Sequence, residues 1–334
     1  MNILFICSAS GKKSFSGLKN SRIFSSHSDS KIIPFVESQY NSLLDLGISV
    51  DLFTIESSGI IGYFRSYRKL RTKVKSKRYD ALHAHYTFPG FLALISKSKS
   101  SKLVISFLGG DLWGTYDSSG NQTIIGYATK ILSKVLAIFC DHIIVKSSFL
   151  KSFIPHSKKK ETSVIPNGVN FNLFRPLEMS KCKKILGLDD QKSYVLFMSD
   201  TEDSRKGFKL VERTFNLLDR KEYEILAPYP QKHKNLKYYY GAASVLVSAS
   251  KFEGSQNVIK EALACNLPVV STDSGDAKER LQNLQNSYVT DGTPEDFSSK
   301  IILASQKKYN YRHKIENLKL ENIAKRVAKI YSNL

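Results

Sequence analysis

Two carboxylates eight residues apart, Glu253 and Glu261, bracket the run E-G-S-Q-N-V-I-K-E and mark a place where this chain could do chemistry. Ser244 to Ser250 reads as a strand, Lys251 to Gly254 as a turn, and Ser255 onward as a helix carrying Ile259, Leu263 and Ala264. A helix starting there aims unpaired backbone N–H groups and its positive dipole end at the preceding loop, an arrangement that suits a phosphate or diphosphate. Gly254 lets the backbone approach such an anion closely. At a rise of about 1.5 Å per residue, Glu261 lies roughly 9–12 Å beyond Glu253. One carboxylate can then hydrogen-bond sugar hydroxyls at one end of a nucleotide-sugar while the other holds the ribose. The spacing alone is equally met by a solvated helix bearing two unrelated glutamates.

Holding such a loop requires parallel sheets, and the pattern supplies them. Short Val/Ile/Phe-rich runs alternate with helical periodicity, the signature of strands joined by crossover helices. Strands are expected at Ile3–Cys7, Val50–Ile55, Ala81–His85, Leu103–Phe107, His142–Val145 and Ser163–Ile165, then at Tyr194–Met198, Glu224–Leu226, Val245–Ser248, Pro268–Ser271 and Tyr288–Val289. Two sheets imply two lobes. Pro166, Asn167 and Gly168 punctuate the end of the first. The expected organisation is an N-terminal domain at 1–170, a linker at 171–180, a second domain at 181–310 and a terminal segment at 311–334.

Ligands of open α/β sheets bind beyond the carboxyl ends of the strands, which singles out further residues. His83 and His85 share one face of a strand, with His85 nearer that end. No third residue at metal-ligand spacing accompanies them, and His83 reads as a structural histidine. Lys206 follows the strand Tyr194–Met198 and precedes a helix near Gly207, where a cation would offset negative charge growing on a departing diphosphate. Gly11 and Gly17 lie in the loop after the first strand. Gly109, Gly110 and Asp111 follow the strand Leu103–Phe107, although Asp111 serves equally well as a helix cap. The chain contains no Asp-x-Asp pair that would hold a diphosphate through a divalent cation.

The composition, 42% hydrophobic and 24% charged over 334 residues, is that of a globular protein of two domain-sized cores. No apolar stretch reaches the roughly 18–20 residues of a membrane span, and Met1 leads directly into a strand, so a cytoplasmic location is expected. Cys7, Cys140, Cys182 and Cys265 form no C-x-x-C pair and read as small buried hydrophobes. Basic residues outnumber acidic ones 23 to 10 before position 171 and 27 to 20 after it. Eight of the basic residues fall between Arg65 and Arg78, with no acid among them. As a helix, that run carries Phe64, Tyr67, Leu70 and Val74 as an apolar stripe flanked by cations, a face that suits an anionic membrane or, with the stripe packed on the sheet, a solvated surface. Tyr67 alone interleaves as an aromatic, which argues against a nucleic-acid platform.

The segment E-G-S-Q-N-V-I-K-E-A-L-A-C-N-L-P-V-V-S-T-D-S-G-D resembles the glutamate-x7-glutamate signature of glycosyltransferase family 4. The likeness continues through Y-D-A-L-H-A-H-Y, S-F-L-G-G-D-L, V-I-P-N-G-V-N and R-K-G-F, in the family's order. The resemblance implies an α/β GT-B fold, two Rossmann-like doubly wound domains facing a central cleft, with the terminal helix returning toward the first domain. It implies a retaining, metal-independent enzyme that uses a nucleotide diphosphate sugar and no cofactor, passing the sugar to a growing, lipid-linked glycan. Glu253 would bind the donor sugar, Glu261 the ribose, and Lys206 with the amides of Asn257 and Val258 the diphosphate. Arg205, Gly254 and Ser255 would complete the donor site. His85 would border the transferred ring, and Gly17, Gly110 and Asp111 would lie on the acceptor side. One departure stands out, because the arginine usual six residues before the lysine is here Asp200. The missing cation is then expected from Arg205 and Lys209, or Asp200 turns away. Other GT-B chemistry, an epimerase or a phosphorylase, and a non-catalytic basic binding module are the rival readings.

Overall fold

The computed structural model describes residues 1–9, 32–56, 60–116 and 121–334. The chain divides into two compact units, one comprising Met1–Gly168 with Leu320–Leu334, the other Val169–Lys319.

In the first unit β1 (Asn2–Ser8), α1 (Pro34–Asp45), β2 (Ser49–Ile55), α2 (Ile60–Ser76), β3 (Ala81–His85), α3 (Thr87–Ser96), β4 (Lys102–Phe107), α4 (Gly110–Trp113), α5 (Ile124–Phe139), β5 (His142–Val145), α6 (Ser148–Ser152) and β6 (Thr162–Val164) follow in turn. The six strands are all parallel, in the order β2-β1-β3-β4-β5-β6. Leu4, Ile6, Leu82, Leu103 and Ile105 of the strands bury against Leu70, Leu92, Leu136 and Leu150, so α2, α3, α5 and α6 form one layer on one sheet face.

The second unit contains α7 (Met179–Leu186), β7 (Ser193–Leu196), α8 (Phe208–Phe215), β8 (Tyr223–Leu226), α9 (Leu236–Ala242), β9 (Val245–Ser248), α10 (Asn257–Ala264), β10 (Val269–Thr272), α11 (Ala277–Leu281), β11 (Tyr288–Thr290) and α12 (Pro294–Ser305). Its five parallel strands are ordered β11-β10-β9-β7-β8. Both orders reverse direction beside the unit's first strand, between β1 and β3 in one sheet and between β7 and β9 in the other. At such a switch point the loops leave in opposite directions and open a crevice at the carboxyl edge.

The final helix, α13 (Leu320–Ser332), packs on α1 within the first unit. Residues 171–180 do not form a free linker. Phe174 is buried, and Arg312 donates to the carbonyls of Phe171, Phe174 and Ala264, so the segment is built into the second unit. The stripe on α2 is mainly a core face: Leu70 and Val74 are buried and Tyr67 is half-buried, whereas Phe64 is exposed with the Arg68 guanidinium 5.0 Å over its ring. Its cations point outward. Among the described residues no helix is long and apolar enough to cross a membrane.

Candidate active site

Lys206 and Glu253 come from loops on either side of the second unit's switch point, one after β7 and the other after β9. Two features bring these loops together. The Lys251 amide donates to the Arg205 carbonyl at 2.8 Å. Gly207, at φ +74°, lies so close to β9's exit that a Cβ there would stand 2.1 Å from the Ala249 oxygen. No other residue supplies both that left-handed φ and that absence of side chain. The Lys206 ammonium consequently donates to Glu253 Oε1 at 2.5 Å. Both side chains remain partly open to solvent, so the pair is accessible to a ligand. Gly275, at φ +64°, backs the other side of the loop, where a Cβ would lie 2.9 Å from the Glu253 carbonyl.

The helix begins two residues later than its sequence suggests, at Asn257 with Gln256 as N-cap. The cause is a set of side-chain bonds that hold the preceding turn out of helical geometry. Ser255 Oγ donates to Asp276 Oδ2 at 2.8 Å, the Gln256 amide bonds Asp276 Oδ1 at 3.3 Å, and the Gln256 side chain bridges Ser248 and Ser274. Asp276 is itself buried and held by Arg280 Nε at 2.9 Å. Beneath the turn Lys260, fully buried, donates to Ser255 Oγ at 3.1 Å, and burial brings its ammonium down to about 8. Gly254 is buried in the turn, while Asn257 and Val258 are the first two residues of the helix, where backbone N–H groups lack intrahelical acceptors. Glu261, one turn further on, is buried and accepts from the Tyr240 hydroxyl at 2.8 Å, with His233 Nε2 at 3.4 Å. This loop and helix start join a cation, two carboxylates and an N-terminal amide cluster at one sheet edge, the functional groups needed to bind a sugar, a diphosphate and a ribose.

Arg205 does not supply a free cation. Asp203 holds its guanidinium through two oxygens, at 3.0 and 2.6 Å. Asp200 caps its own loop, accepting from the Glu202 amide at 3.0 Å, and Lys209 is exposed.

In the first unit His83 and His85 stack 4.5 Å apart under Phe5, both buried. His83 is bonded on both nitrogens, Nδ1 to the Tyr331 hydroxyl at 2.5 Å and Nε2 to Ser106 Oγ at 2.8 Å, which makes it a structural residue. Among the described residues, neither nitrogen of His85 has a hydrogen-bond partner. Burial, with the Lys146 ammonium adding to it, lowers His85 to about 3, so the ring is neutral at physiological pH. The next residue, Tyr86, adopts φ 73°, a strained conformation for a tyrosine at the end of β3. Asp111 is committed to its own loop, accepting from the amides of Leu108 and Gly109, and burial pushes its carboxyl up to about 6. Gly110 opens α4, and a Cβ there would meet nothing closer than 3.8 Å. Gly17 lies outside the described residues.

Sequence reasoning missed Lys260, Asp276, Tyr240 and Tyr331. Only Lys260 carried a local signal, as a cation inside the apolar face of a helix.

Comparison with known proteins points to glycosyltransferases. The family model described as Glycosyltransferase Family 4 matches residues 36–173, and that for glycosyl transferases group 1 matches residues 211–306. An uncharacterized glycosyltransferase of Methanocaldococcus jannaschii is 24% identical over 265 residues, 73% of this chain and 70% of that protein. TuaC of Bacillus subtilis, provisionally named a teichuronic acid biosynthesis glycosyltransferase, is 24% identical over 215 residues, covering 59% of this chain and 54% of its own length. Among solved structures, Anabaena Alr3699/HepE in complex with UDP and glucose superposes with a TM-score of 0.71 at 17% identity, over 100% of both chains.

Proposed function

This chain is a glycosyltransferase of GT-B fold related to family 4, and from that premise we propose that it moves a sugar from a nucleotide diphosphate donor, with retention, to a lipid-linked glycan in cell-surface polysaccharide synthesis. The observation that carries this reading is the Lys206–Glu253 pair at the switch point of the second sheet, beside the start of α10. Lys206 exchanges its contact with Glu253 for the donor diphosphate, aided by the amides of Asn257 and Val258. Glu253, so released, accepts hydrogen bonds from hydroxyls of the transferred sugar. Glu261, oriented by Tyr240, binds the ribose. His85 borders the transferred ring, where a neutral imidazole offers a lone pair to the positive charge developing at the anomeric carbon. The bond from that carbon to the diphosphate oxygen breaks as the acceptor oxygen attacks on the same face, and the departing phosphate takes the acceptor's proton. The complex of HepE with UDP and glucose supports UDP as the nucleotide, and the name of TuaC, which places that relative in teichuronic acid biosynthesis, supports a role in building a glycan. The outward cations of α2 favour action on an anionic membrane surface at its inner face.

Incubating the protein with UDP- and GDP-sugars and a lipid acceptor extract tests the proposal. Donor consumption that depends on acceptor, and a product whose anomeric proton matches the donor's configuration by NMR, is the expected result. Consumption independent of acceptor, or inverted configuration, would refute it.

A further inference from the structure

Helix α5 buries Gly126, Ser133, Leu136 and Ala137 and turns an apolar face outward. Ile124 is 89% exposed, Tyr127 57%, Ile131 46%, Val135 40%, Ile138 53% and Phe139 60%. Their spacings of three, four, four, three and one place them on one stripe. Scattered exposed apolar residues are ordinary, but a continuous stripe along a four-turn helix marks a surface that meets something apolar. Ile95 of α3 and Phe149 of α6, both exposed, belong to the same layer of helices. Charge identifies the occupant. Residues 60–78, 87–102, 124–139 and 147–160, which contain the whole layer, hold no Asp or Glu, while Arg65, Arg68, Lys69, Arg71 and Lys75 of α2 and Lys134 of α5 are exposed. Two copies of such a surface would repel each other, whereas a bilayer with anionic headgroups complements both the stripe and the cations.

We propose that α5 is the membrane-inserting element of this protein, lying in the plane of an anionic bilayer with its apolar stripe at the headgroup–acyl boundary. This deepens the membrane reading above, which rests on the cations of α2. Lys134 extends to the phosphates and α2 adds electrostatic attraction. Helix α5 packs on α4, which follows β4, and from the middle of α5 Ser133 Oγ donates to the Asp111 carbonyl at 2.6 Å. A headgroup sugar on a lipid carrier would therefore emerge next to the carboxyl edge of the first sheet, near His85.

The test is flotation with vesicles of phosphatidylcholine alone or with about one-third phosphatidylglycerol, using the full chain, the double variant Ile131→Ser/Ile138→Ser and the α2 variant Arg68→Gln/Lys69→Gln/Arg71→Gln. The wild type should float with anionic vesicles. The α5 variant should lose roughly tenfold or more of its binding at any salt concentration, and the α2 variant should lose binding mainly at low salt. Melting temperature should stay unchanged in both variants. An Ile138→Trp variant should show a blue-shifted emission component with anionic vesicles that the wild type, whose sole tryptophan is Trp113, lacks. Undiminished flotation of the α5 variant together with unshifted Trp emission would overturn the role of α5 while sparing the α2 reading. Failure of the wild type to bind either vesicle would overturn both. A wild-type dimer in light scattering that the α5 variant converts to monomer would assign the stripe to a second copy and overturn the proposal.

Discussion

At the residue scale, the two buried histidines differ in how their ring nitrogens are bonded. His83 is saturated by Tyr331 and Ser106, while both buried nitrogens of His85 lack a partner among the described residues, a state that costs about 1–3 kcal/mol for each group left unsatisfied. That cost is understandable if a donor or acceptor hydroxyl completes the site, so His85→Ala should lower kcat by about tenfold or more while leaving UDP affinity intact. Steady-state kinetics beside a UDP titration checks this, and an unchanged kcat would remove His85 from the reaction. The same histidines make stability depend on pH. Unfolded, each imidazole takes up a proton near 6.5, whereas in the folded chain burial depresses His85 to about 3 and His83 well below its ordinary value. Because the unfolded state binds more protons in that interval, stability is fully present above pH 6.5 and falls toward pH 3, by about 1.4 kcal/mol per pH unit for each ring. Asp111 has the opposite sign: its folded carboxyl, raised from 3.8 to about 6, adds stability as pH drops through 6. Asp111→Asn should therefore steepen the acid loss, measured by denaturant unfolding at pH 7 and pH 5. Equal slopes in the two proteins would contradict it.

At the element scale, the site depends on two loops forced into contact by a glycine. Gly207→Ala places a Cβ against the Ala249 oxygen and imposes a left-handed alanine, at about 1–2 kcal/mol for the backbone alone. Thermal melts should show a drop of several degrees together with weakened UDP binding, and a variant as stable and as competent as wild type would show that the loops are not so coupled. The strands were legible because a parallel sheet buried on both faces writes itself as Val/Ile-rich runs, and all eleven expected strands lie within two residues of the observed ones. The start of α10 was not. Its delay from Ser255 to Asn257 is caused by Asp276 and Ser274, some twenty residues away in sequence, which no local periodicity reports. Glu253, Glu261 and Lys206 could be named from their motifs, yet their partners could not: Tyr240 orients Glu261 and Lys260 underpins the turn only because the fold brings them there.

At the scale of the whole molecule, the chain's last helix completes its first unit. Tyr331 on α13 reaches back to the histidine at the centre of the first sheet. Tyr331→Phe would leave His83 Nδ1 buried and unpartnered, so it should cost about 1–3 kcal/mol in unfolding free energy while preserving the UDP-induced rise in melting temperature. Loss of that rise would mean that the helix has a role in donor binding. In the other unit, the proposed function requires a nucleoside diphosphate to bind between Lys206 and the start of α10. Calorimetric titration of UDP and GDP into the wild type and into Lys206→Ala addresses it most directly. Removing one charge-assisted contact of about 1.5–3 kcal/mol should weaken binding roughly ten- to a hundred-fold. Equal affinity in the two proteins, or no affinity for any nucleoside diphosphate, would contradict the account.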